Sequence, residues 1–596
     1  MATIHVAGTQ LQPQLPRLPL IKPMLLALGA TFIFAMHIFM PNPGGSGLAL
    51  SFNATTWIGF SIALALGFYQ LGTNGQLRYN KLTIFLFLSC LLLTVPMAYP
   101  NSGGYLAINR LIGLWAGFAL FVSLQQFRFS NKQKQRLLWF IVIAVWIQSA
   151  YGLVQYFLLQ PGNSLGYDTV ANRPYGIFQQ PNVMASFLAT GLAISGYLLA
   201  RQPIKYHRKL SSILFLYFTP IATIPLLIFL ASRTGWLAAS ISTLLLLPYL
   251  YSFASKKRFI GWFGSVAVGV LIGLAPSWMF NQSMLAESRA NLESPRSYTF
   301  PQTLDMFVEK PFTGYGYGRF EPEYILYTAR QHSLNDNYPA GLPAMDHPHN
   351  ELLYWGVEGG IIPLLGIFLA AGIVLFRIYQ IKPGTRMAMF ALFVPIVIHS
   401  QLEYPFYHSA IHWLIFIILI YWVDQRSNSY RSVSFSIISK TLLRVLSLVI
   451  PIVTTFYMVS SLHTNYILHQ FERSSPPNPE ILEEVSNPLV WEDRYNWDIY
   501  STYLNIGLVQ QDKALITPYI EWAKEIIQTK PRPAFYQHLI IAYQAIDDSV
   551  RAEQIRTEAQ YLFPATDFSK IQYVKPSNLK PSAASASIEN IASGAK

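Results

Sequence analysis

The sequence predicts an all-α polytopic membrane protein with about 13 transmembrane helices. Its 596 residues are 52% hydrophobic and only 12% charged, whereas about a quarter of the residues in an ordinary soluble domain carry a charge. Apolar runs of about 17–25 residues, long enough to cross a bilayer core about 30 Å thick, recur along the chain as far as residue 461. A polar stretch near the middle and a polar C-terminal region are expected to lie outside the membrane.

The apolar runs define the candidate spans. We expect the first run to be a retained helix and not a cleaved signal, because Pro-Asn-Pro-Gly-Gly follows it instead of a small-residue cleavage site. The predicted spans cover about residues 23–40, 54–71, 81–98, 105–125, 137–158, 183–200, 211–231, 235–254, 259–280, 357–377, 387–402, 409–423 and 442–461.

The distribution of charge predicts the orientation of the chain. Residues 1–462 contain 30 Lys and Arg residues but 13 acidic ones, whereas residues 463–596 contain 12 and 16. The basic residues cluster between alternate apolar runs, which is the pattern of cytoplasmic loops under the positive-inside rule. We therefore expect a cytoplasmic N-terminus and, after an odd number of spans, a C-terminal region on the outer side. A basic excess distributed in this way also argues against nucleic acid as a partner.

Five parts are predicted along the chain. They are N-terminal transmembrane helices over 1–280, a large outer loop over 281–356, C-terminal transmembrane helices over 357–462, an outer helical domain over 463–575 and a disordered tail over 576–596. In the helical domain, Pro531 and Pro564 each end a helical stretch, and their separation is close to the 34-residue tetratricopeptide period. A small helical bundle is the alternative for this domain.

The first candidate for chemistry lies at the end of the outer loop, in Asp-His-Pro-His-Asn-Glu at 346–351. The imidazole of His349 can act as a general base, because histidine exchanges a proton near neutral pH. Asn350 and Glu351 follow it directly, and we expect them to fix its tautomer or to orient an acceptor. A polar helix cap at the membrane interface is the alternative interpretation.

Arginines within the apolar part form the second candidate. Arg233 lies between two apolar runs and Arg110 lies inside one, although burying such a charge costs about 2.5–3.5 kcal/mol. Arg296 opens a polar segment of the outer loop. Because guanidinium groups match phosphate oxygens bidentately, a diphosphate is a plausible ligand for these arginines, and on the outer face it would have to be lipid-borne. Snorkelling is the alternative for Arg233, and an internal ion pair is expected for Arg110.

Two shorter segments complete the candidates. Residues 172–182 place Arg173 and Gln179 beside aromatic residues, a combination that suits a sugar or phosphosugar headgroup, with a plain loop as the alternative. Residues 399–408 contain Glu403, the one acidic residue of an otherwise apolar neighbourhood, next to Tyr404. Pairing of Glu403 with one of the arginines would be a structural explanation that needs no catalysis.

Several kinds of site are disfavoured. The sole cysteine, Cys90, excludes disulfides and cysteine-based metal clusters. The stretch Gly314–Gly318 lacks the Gly-Lys-Ser/Thr of a phosphate loop and is expected to form a tight turn with aromatic packing. A metal held by His347 and His349 would lack a third ligand other than Asp346 or the distant His332. We therefore expect neither a metal nor a cofactor.

Taken together, four segments carry a resemblance to a known family. They are Arg-Pro-Tyr-Gly-Ile-Phe-Gln-Gln-Pro-Asn at 173–182, Ser-Arg-Thr-Gly at 232–235, Pro-Phe-Thr-Gly-Tyr-Gly at 311–316 and His-Pro-His-Asn-Glu-Leu-Leu at 347–353. They resemble the O-antigen ligase and polymerase superfamily. The first segment, together with Leu-Glu-Tyr-Pro-Phe at 402–406, resembles the bacterial protein O-oligosaccharyltransferases of the PglL type.

The resemblance implies an activity and a location. It implies transfer of a preassembled glycan from undecaprenyl diphosphate to a serine or threonine of a pilin or another periplasmic protein. The enzyme would be a multi-pass protein of the bacterial inner membrane, with its active site and C-terminus in the periplasm. His349 would be the base, Arg233 and Arg296 would hold the diphosphate, and Gln179 and Tyr404 would help to place substrate. One displacement with inversion is expected, without a covalent intermediate or a metal.

Other functions remain open at this point. An O-antigen ligase acting on lipid A core, or a repeat-unit polymerase, would differ only in the acceptor. A transporter or flippase usually shows paired repeats and interrupted helices near the membrane midplane, whereas this sequence has no internal repeat and its polar content concentrates on one face instead of at mid-depth. A membrane scaffold that recruits partners through its C-terminal helices is a third alternative, and it would leave His349 without a role.

Overall fold

The computed structural model describes residues 20–42, 44–201, 210–280, 294–426 and 429–575. The predicted disordered tail, 576–596, and the part of the outer loop before residue 294 lie outside these residues.

The described residues form α-helices with short connections and one two-stranded antiparallel sheet. In chain order the elements are α1 (Ile21–Ile33), α2 (Ser51–Asn74), β1 (Gln76–Tyr79), α3 (Lys81–Thr94), α4 (Gly104–Gln126), α5 (Asn131–Phe157), α6 (Pro181–Ala200), α7 (Leu210–Phe229), α8 (Arg233–Phe253), α9 (Lys256–Phe280), α10 (Arg296–Glu309), α11 (Phe320–Leu334), α12 (Glu351–Gly359), α13 (Ile361–Tyr379), α14 (Pro383–Leu402), α15 (Pro405–His408), α16 (Ala410–Asp424), β2 (Arg431–Ser434), α17 (Ile437–Arg473), α18 (Glu492–Gln510), α19 (Lys513–Ile526), α20 (Pro533–Ala545) and α21 (Ser549–Leu562).

The predicted class, an all-α polytopic membrane protein, is confirmed, whereas the number of about 13 transmembrane helices stays a prediction. Eleven helices of the described chain are long and apolar enough to cross a membrane, and the segments Ile21–His37 and Ala410–Asp424 are shorter apolar helices. Each predicted span coincides with one of these segments. The span predicted at 357–377 begins at Ile361, because Gly360, with a φ of 70°, separates it from α12.

Helix α6 lies at the centre of the membrane region. All of its residues from Val183 to Ala200 are buried. Small residues allow its neighbours to approach closely: a Cβ on Gly191 would lie 2.5 Å from the side chain of Val145 in α5. Because α6 is enclosed along its length, its first turn, beginning at Pro181, is held at a fixed point on one face of the bundle.

Helix α17 and the small sheet distinguish the two faces of the membrane region. Strand β1 pairs with β2 beside the start of α17, and α17 runs antiparallel to α2 until Asn465 Nδ2 donates to the carbonyl of Pro41 at 3.2 Å. The opposite face from the sheet carries residues 159–182, 294–360 and 403–408 and the C-terminal region. We refer to it below as the loop face.

The outer loop and the C-terminal region, which are separate parts in the predicted organisation, form one body. Phe320 and Tyr324 of α11 share a hydrophobic core with Tyr519 and Tyr536 of the C-terminal helices. In addition, the Nε and Nη2 atoms of Arg532 donate to the two carboxylate oxygens of buried Glu321, at 2.7 and 3.0 Å. The C-terminal region is therefore attached to the loop that carries His349. Its tetratricopeptide-like character stays a prediction.

Two sequence predictions about residues at or next to the outer loop are confirmed. Arg110 forms an internal ion pair, with Nη2 2.6 Å from Oε2 of the fully buried Glu358. Its guanidinium carbon also lies 4.2 Å from the ring centroid of Trp355. The stretch Gly314–Gly318 is a tight turn in which all three glycines have positive φ, and its Tyr317 packs on Trp355 with ring centroids 5.6 Å apart.

Candidate active site

The candidate site lies on the loop face, where the ends of membrane helices meet the outer loop. Glu403 directly follows α14, Asn182 lies in the first turn of α6, and Arg296 is the first residue of α10. His349 immediately precedes Asn350, the residue that caps α12. Four segments that are far apart in the sequence therefore contribute polar side chains to one place.

Glu403 is at the centre of this group. Its Oε2 lies 2.7 Å from His349 Nδ1, and its Oε1 accepts hydrogen bonds from Asn182 Nδ2 at 2.9 Å and from Arg296 Nη2. The Glu403 side chain is 6% exposed, whereas His349 is 32% and Arg296 30% exposed. The carboxylate is thus enclosed, while the two groups that it holds reach solvent.

The environment of Glu403 favours its charged form. Burial alone would raise the pKa of its carboxyl, but the hydrogen bond from His349, the charge of Arg296 and the hydrogen bond from Asn182 together hold the pKa below its ordinary value. Because an ionised carboxylate can only accept hydrogen bonds, His349 donates through Nδ1. In the neutral ring, Nε2 is then the nitrogen able to accept a proton.

The backbone of His349 is held in an unusual conformation. Its φ is 60°, a left-handed value that non-glycine residues seldom adopt. The His349 amide donates to Nδ1 of His347 at 2.9 Å, which stabilises this turn. His347 is buried, and burial, together with the charges of His349 and Arg110, lowers its pKa well below the ordinary value. A neutral His347 is required here, because its Nδ1 must accept the amide proton.

The contacts of Asn350 and Glu351 differ from those predicted. Asn350 accepts from the amide of Leu353 at 2.9 Å and donates to the carbonyl of Gln401 at 3.0 Å, so it caps α12 and attaches the turn to α14. Glu351 Oε1 accepts from Trp355 Nε1 at 2.7 Å and Tyr407 OH at 3.0 Å. The expectation that Glu351 fixes the tautomer of His349 is corrected: Glu403 makes that contact, because Glu351 begins a helix and bonds to the next turn.

Tyr404 lies against the histidines. Its ring centroid is 5.0 Å from that of His349 and 5.2 Å from that of His347. Tyr354 and Tyr407 pack on His347 from other sides, at 4.3 and 5.1 Å. This aromatic packing fixes the position of the turn that presents His349.

The predicted residues Arg173, Gln179 and Arg233 lie in two adjoining turns. Arg233 is exposed and is the first residue of α8, while Arg173 Nε donates to the carbonyl of Leu230 at 2.8 Å. Gln179, with a φ of 55°, ends the short turn before α6. The structure does not bring these three side chains into the hydrogen-bonded group around Glu403.

Asn182 and Ser232 connect the two regions, and sequence reasoning did not single them out. Ser232 Oγ donates to Asn182 Oδ1 at 2.7 Å and also accepts from the amide of Gly235 at 3.0 Å, so that it caps α8. Asn182 in turn donates to Glu403. This relay joins the carboxylate to the helix that begins at Arg233. Asn182 and Ser232 lie at the ends of the motifs at 173–182 and 232–235, but their contacts join residues from different spans.

The arrangement can take up a proton next to positive charge. His349 presents Nε2 as an acceptor, Glu403 stabilises the imidazolium that would form, and Arg296 lies on the other oxygen of the same carboxylate. Among the described residues there is no group of three or more His, Cys, Asp and Glu side chains that could hold a metal ion. The geometry therefore suits general-base chemistry on an anionic substrate that reaches the partly exposed His349 and Arg296.

Comparison with known proteins finds three family matches, each of which includes a different part of the site. Residues 218–368 match the family described as O-Antigen ligase, and residues 174–199 match the family described as Protein glycosylation ligase. Residues 387–578 match the family described as Virulence factor membrane-bound polymerase, C-terminal. The first match includes Arg233, Arg296 and His349, the second Asn182 and the third Glu403.

One curated relative is similar over most of the chain. The ComP-specific O-oligosaccharyltransferase of Acinetobacter baylyi is 24% identical over 398 residues, which cover 63% of this chain and 68% of that protein. The family matches and this relative agree with the resemblance seen in the sequence motifs. The chain is a multi-pass membrane protein similar to the O-antigen ligase superfamily and to the O-oligosaccharyltransferases, and these similarities support a glycosyl-transferring enzyme.

Proposed function

We propose that the protein carries out O-linked protein glycosylation, by transferring a whole glycan from undecaprenyl diphosphate to a serine or threonine of a pilin or another periplasmic protein. The observation that carries the proposal is the Glu403 carboxylate, which holds His349 Nδ1 on one oxygen and Arg296 on the other. In this proposal His349 is the base for a hydroxyl, and the neighbouring Arg296 is the cation for a leaving diphosphate.

The reaction is one displacement at the anomeric carbon. His349 Nε2 removes the proton of the acceptor hydroxyl as its oxygen bonds to that carbon, and the bond from the carbon to the diphosphate oxygen breaks with inversion. Glu403 stabilises the imidazolium through the 2.7 Å contact to Nδ1. General-base assistance of this kind contributes about 10²–10⁴-fold to the rate.

Two arginines would stabilise the departing diphosphate. Arg296 uses Nη2 for Glu403, and its other guanidinium donors belong to a side chain that is 30% exposed. Arg233 opens α8, where the amides of the first helical turn add a partial positive charge. Because the charge on the diphosphate grows as the bond breaks, both arginines favour the transition state over the bound substrate. No metal takes part in this scheme.

The chemistry also supports a location. A reaction outside the cytoplasm needs a donor that is already activated, and a lipid diphosphate is such a donor. The connections between helices that are rich in Lys and Arg lie at the membrane face opposite the loop face. We place the protein in the bacterial inner membrane, with a cytoplasmic N-terminus and with the active site and the C-terminus in the periplasm. Gln179, Tyr404, Arg173 and Asn350 would position substrate or the turn that carries His349.

A second candidate function shares the donor and differs in the acceptor. The matches to an O-antigen ligase family and to a polymerase C-terminal family favour lipid A core or a growing glycan as that acceptor. We favour a protein acceptor because residues 174–199 match the Protein glycosylation ligase family and the curated relative is an O-oligosaccharyltransferase.

The acceptor can be determined directly. The chain would be expressed in cells that make an undecaprenyl-diphosphate-linked glycan and lack their own transferase and ligase, and the intact masses of pilin-like and other exported proteins would be measured. We expect a mass increase equal to one whole glycan on a protein. Glycan found on lipid A core, with unchanged protein masses, would establish the ligase instead.

A further inference from the structure

An apolar stripe lies on the exposed side of α10, the helix that begins with Arg296. Leu304 is 49% exposed and Val308 67%, and Phe312, just after the helix, is 75% exposed. Leu304 and Val308 are spaced four apart and so share one side of α10, and Phe312 follows in the turn directly after the helix. Large apolar side chains grouped in this way mark a surface that contacts something other than water.

Both ends of this segment are attached to membrane helices at the loop face. Arg296 bonds to Glu403, the residue that follows the last residue of α14. At the other end, the carbonyl of Pro311 accepts from the amide of Ile361, the first residue of α13, at 2.8 Å. Because a helix of 14 residues is about 21 Å long, α10 extends from the end of α14 to the start of α13.

The opposite side of α10 packs on the body formed by the outer loop and the C-terminal region. Thr299, Thr303 and Met306 are buried there. Gln302 donates to the carbonyl of Pro339 at 2.7 Å and accepts from Tyr324 OH at 2.6 Å. Residues two apart on a helix point about 200° apart, so Leu304 points away from this body.

We propose that the stripe of Leu304, Val308 and Phe312 inserts among the acyl chains of the lipid leaflet at the loop face. The stripe is continuous with the lipid-facing side of α13, where Leu365 is 48% and Phe368 56% exposed, through the contact of Pro311 with Ile361. An interfacial helix gains free energy from such burial in proportion to its apolar area.

Insertion would fix the depth of Arg296. With α10 resting in the leaflet, its first residue lies at the boundary between lipid and water, where the diphosphate of a lipid-linked donor would be found. This consequence rests on the proposed function, whereas the insertion itself does not.

Spin labels would test the insertion. In a Cys90→Ala background, a nitroxide would be attached at Val308→Cys or Leu304→Cys, and the protein reconstituted in nanodiscs of phosphatidylcholine and phosphatidylglycerol. The matched control is Leu334→Cys, because Leu334 is 77% exposed and ends α11 next to polar residues 335–337. Collision rates with oxygen, which concentrates in lipid, would be compared with those of a water-soluble nickel chelate.

We expect the ratio of oxygen to nickel collisions to be several-fold higher at positions 308 and 304 than at 334. Equal ratios at the three positions would overturn the proposal, since the stripe would then face water. Exclusion of both reagents from 304 and 308 would also overturn it, because a protein would then cover the stripe. The collision rates require no enzymatic activity, so they test the insertion independently of the proposed function.

Discussion

Replacing Glu403 with glutamine tests the arrangement around His349. The substitution keeps the size and shape of the side chain and removes its charge. Oε1 of Glu403 has two donors, Asn182 and Arg296, and so the amide oxygen of glutamine would turn toward them. Its NH₂ group would then face His349 Nδ1, which lies 2.7 Å from the other carboxylate oxygen.

The expected loss of activity follows from this geometry. Facing an NH₂ donor, Nδ1 of His349 must accept, and the ring proton moves to Nε2, the nitrogen that should act as the base. We expect the rate of glycan transfer to fall by about 10²–10⁴-fold, the whole contribution of general-base catalysis, which is about 3–5 kcal/mol of activation free energy. Stability should change little, because Arg296 is 30% exposed and solvent screens its charge.

The assay would use purified protein in nanodiscs, a lipid-linked glycan and an acceptor protein, under single-turnover conditions. Glu309→Gln is the matched control, because Glu309 pairs with Arg330 on the surface of the same body, away from His349. General-base catalysis contributes at least about 10²-fold to the rate. If Glu403→Gln transfers glycan at a rate within about threefold of the wild type, the argument that Glu403 sets the tautomer of His349 is refuted.

Three further predictions concern the turn, the buried ion pair and the C-terminal region. His347→Asn should retain most activity, because an asparagine side chain can accept from the amide two residues on, whereas His347→Phe keeps the ring packing, loses the acceptor and should lower the rate. Glu358→Gln should lower the unfolding free energy by about 3–5 kcal/mol, seen as a lower melting temperature. Burial and the charge of Glu472 raise the pKa of Asp498 to about 8, so Asp498→Asn should raise the melting temperature more at pH 9 than at pH 5.

Proton binding by Asp498 determines how the effect of Asp498→Asn depends on pH. The unfolded chain releases the Asp498 proton near pH 4, while the folded chain keeps it to about pH 8. Stability therefore falls as the pH rises between these values, and asparagine removes the fall. An equal effect of Asp498→Asn at pH 5 and pH 9 would contradict this reasoning.

Each of the other two predictions has its own control. Equal activity of the asparagine and phenylalanine variants at position 347 would show that the bond from the His349 amide does not matter. For the ion pair, Glu323→Gln serves as the comparison, since Glu323 pairs with Arg319 on the surface and should contribute about 1 kcal/mol or less. A Glu358→Gln protein as stable as Glu323→Gln would contradict the stabilising role of Glu358.

Much of the fold could be predicted because a membrane span is a local property of the sequence. The apolar run predicted at 183–200 became α6, with Pro181 at its first position. The internal ion pair of Arg110 was also predictable, because an unpaired charge in that environment is too costly. Its partner, Glu358, was not, since nothing near residue 110 indicates which acid of the outer loop reaches it.

The contacts of the candidate site could not be predicted, because they join distant segments. Asn350 and Glu351 were expected to orient His349 since they follow it directly, yet a helix begins at Glu351 and carries its side chain toward Trp355 and Tyr407. Instead, Glu403, which is 54 residues away in the sequence, makes the contact with His349 Nδ1. Only the order in which the membrane helices pack brings the end of α14 to the turn of His349.

The most direct test of the account is single-turnover glycan transfer by His349→Gln beside the wild type. His463→Gln is the control, because His463 is exposed and bonds to Ser486, far along α17. We predict that His463→Gln matches the wild type and that His349→Gln loses about 10²–10⁴-fold, while still binding the lipid-linked donor. Transfer by His349→Gln at the wild-type rate would contradict the claim that His349 is the base.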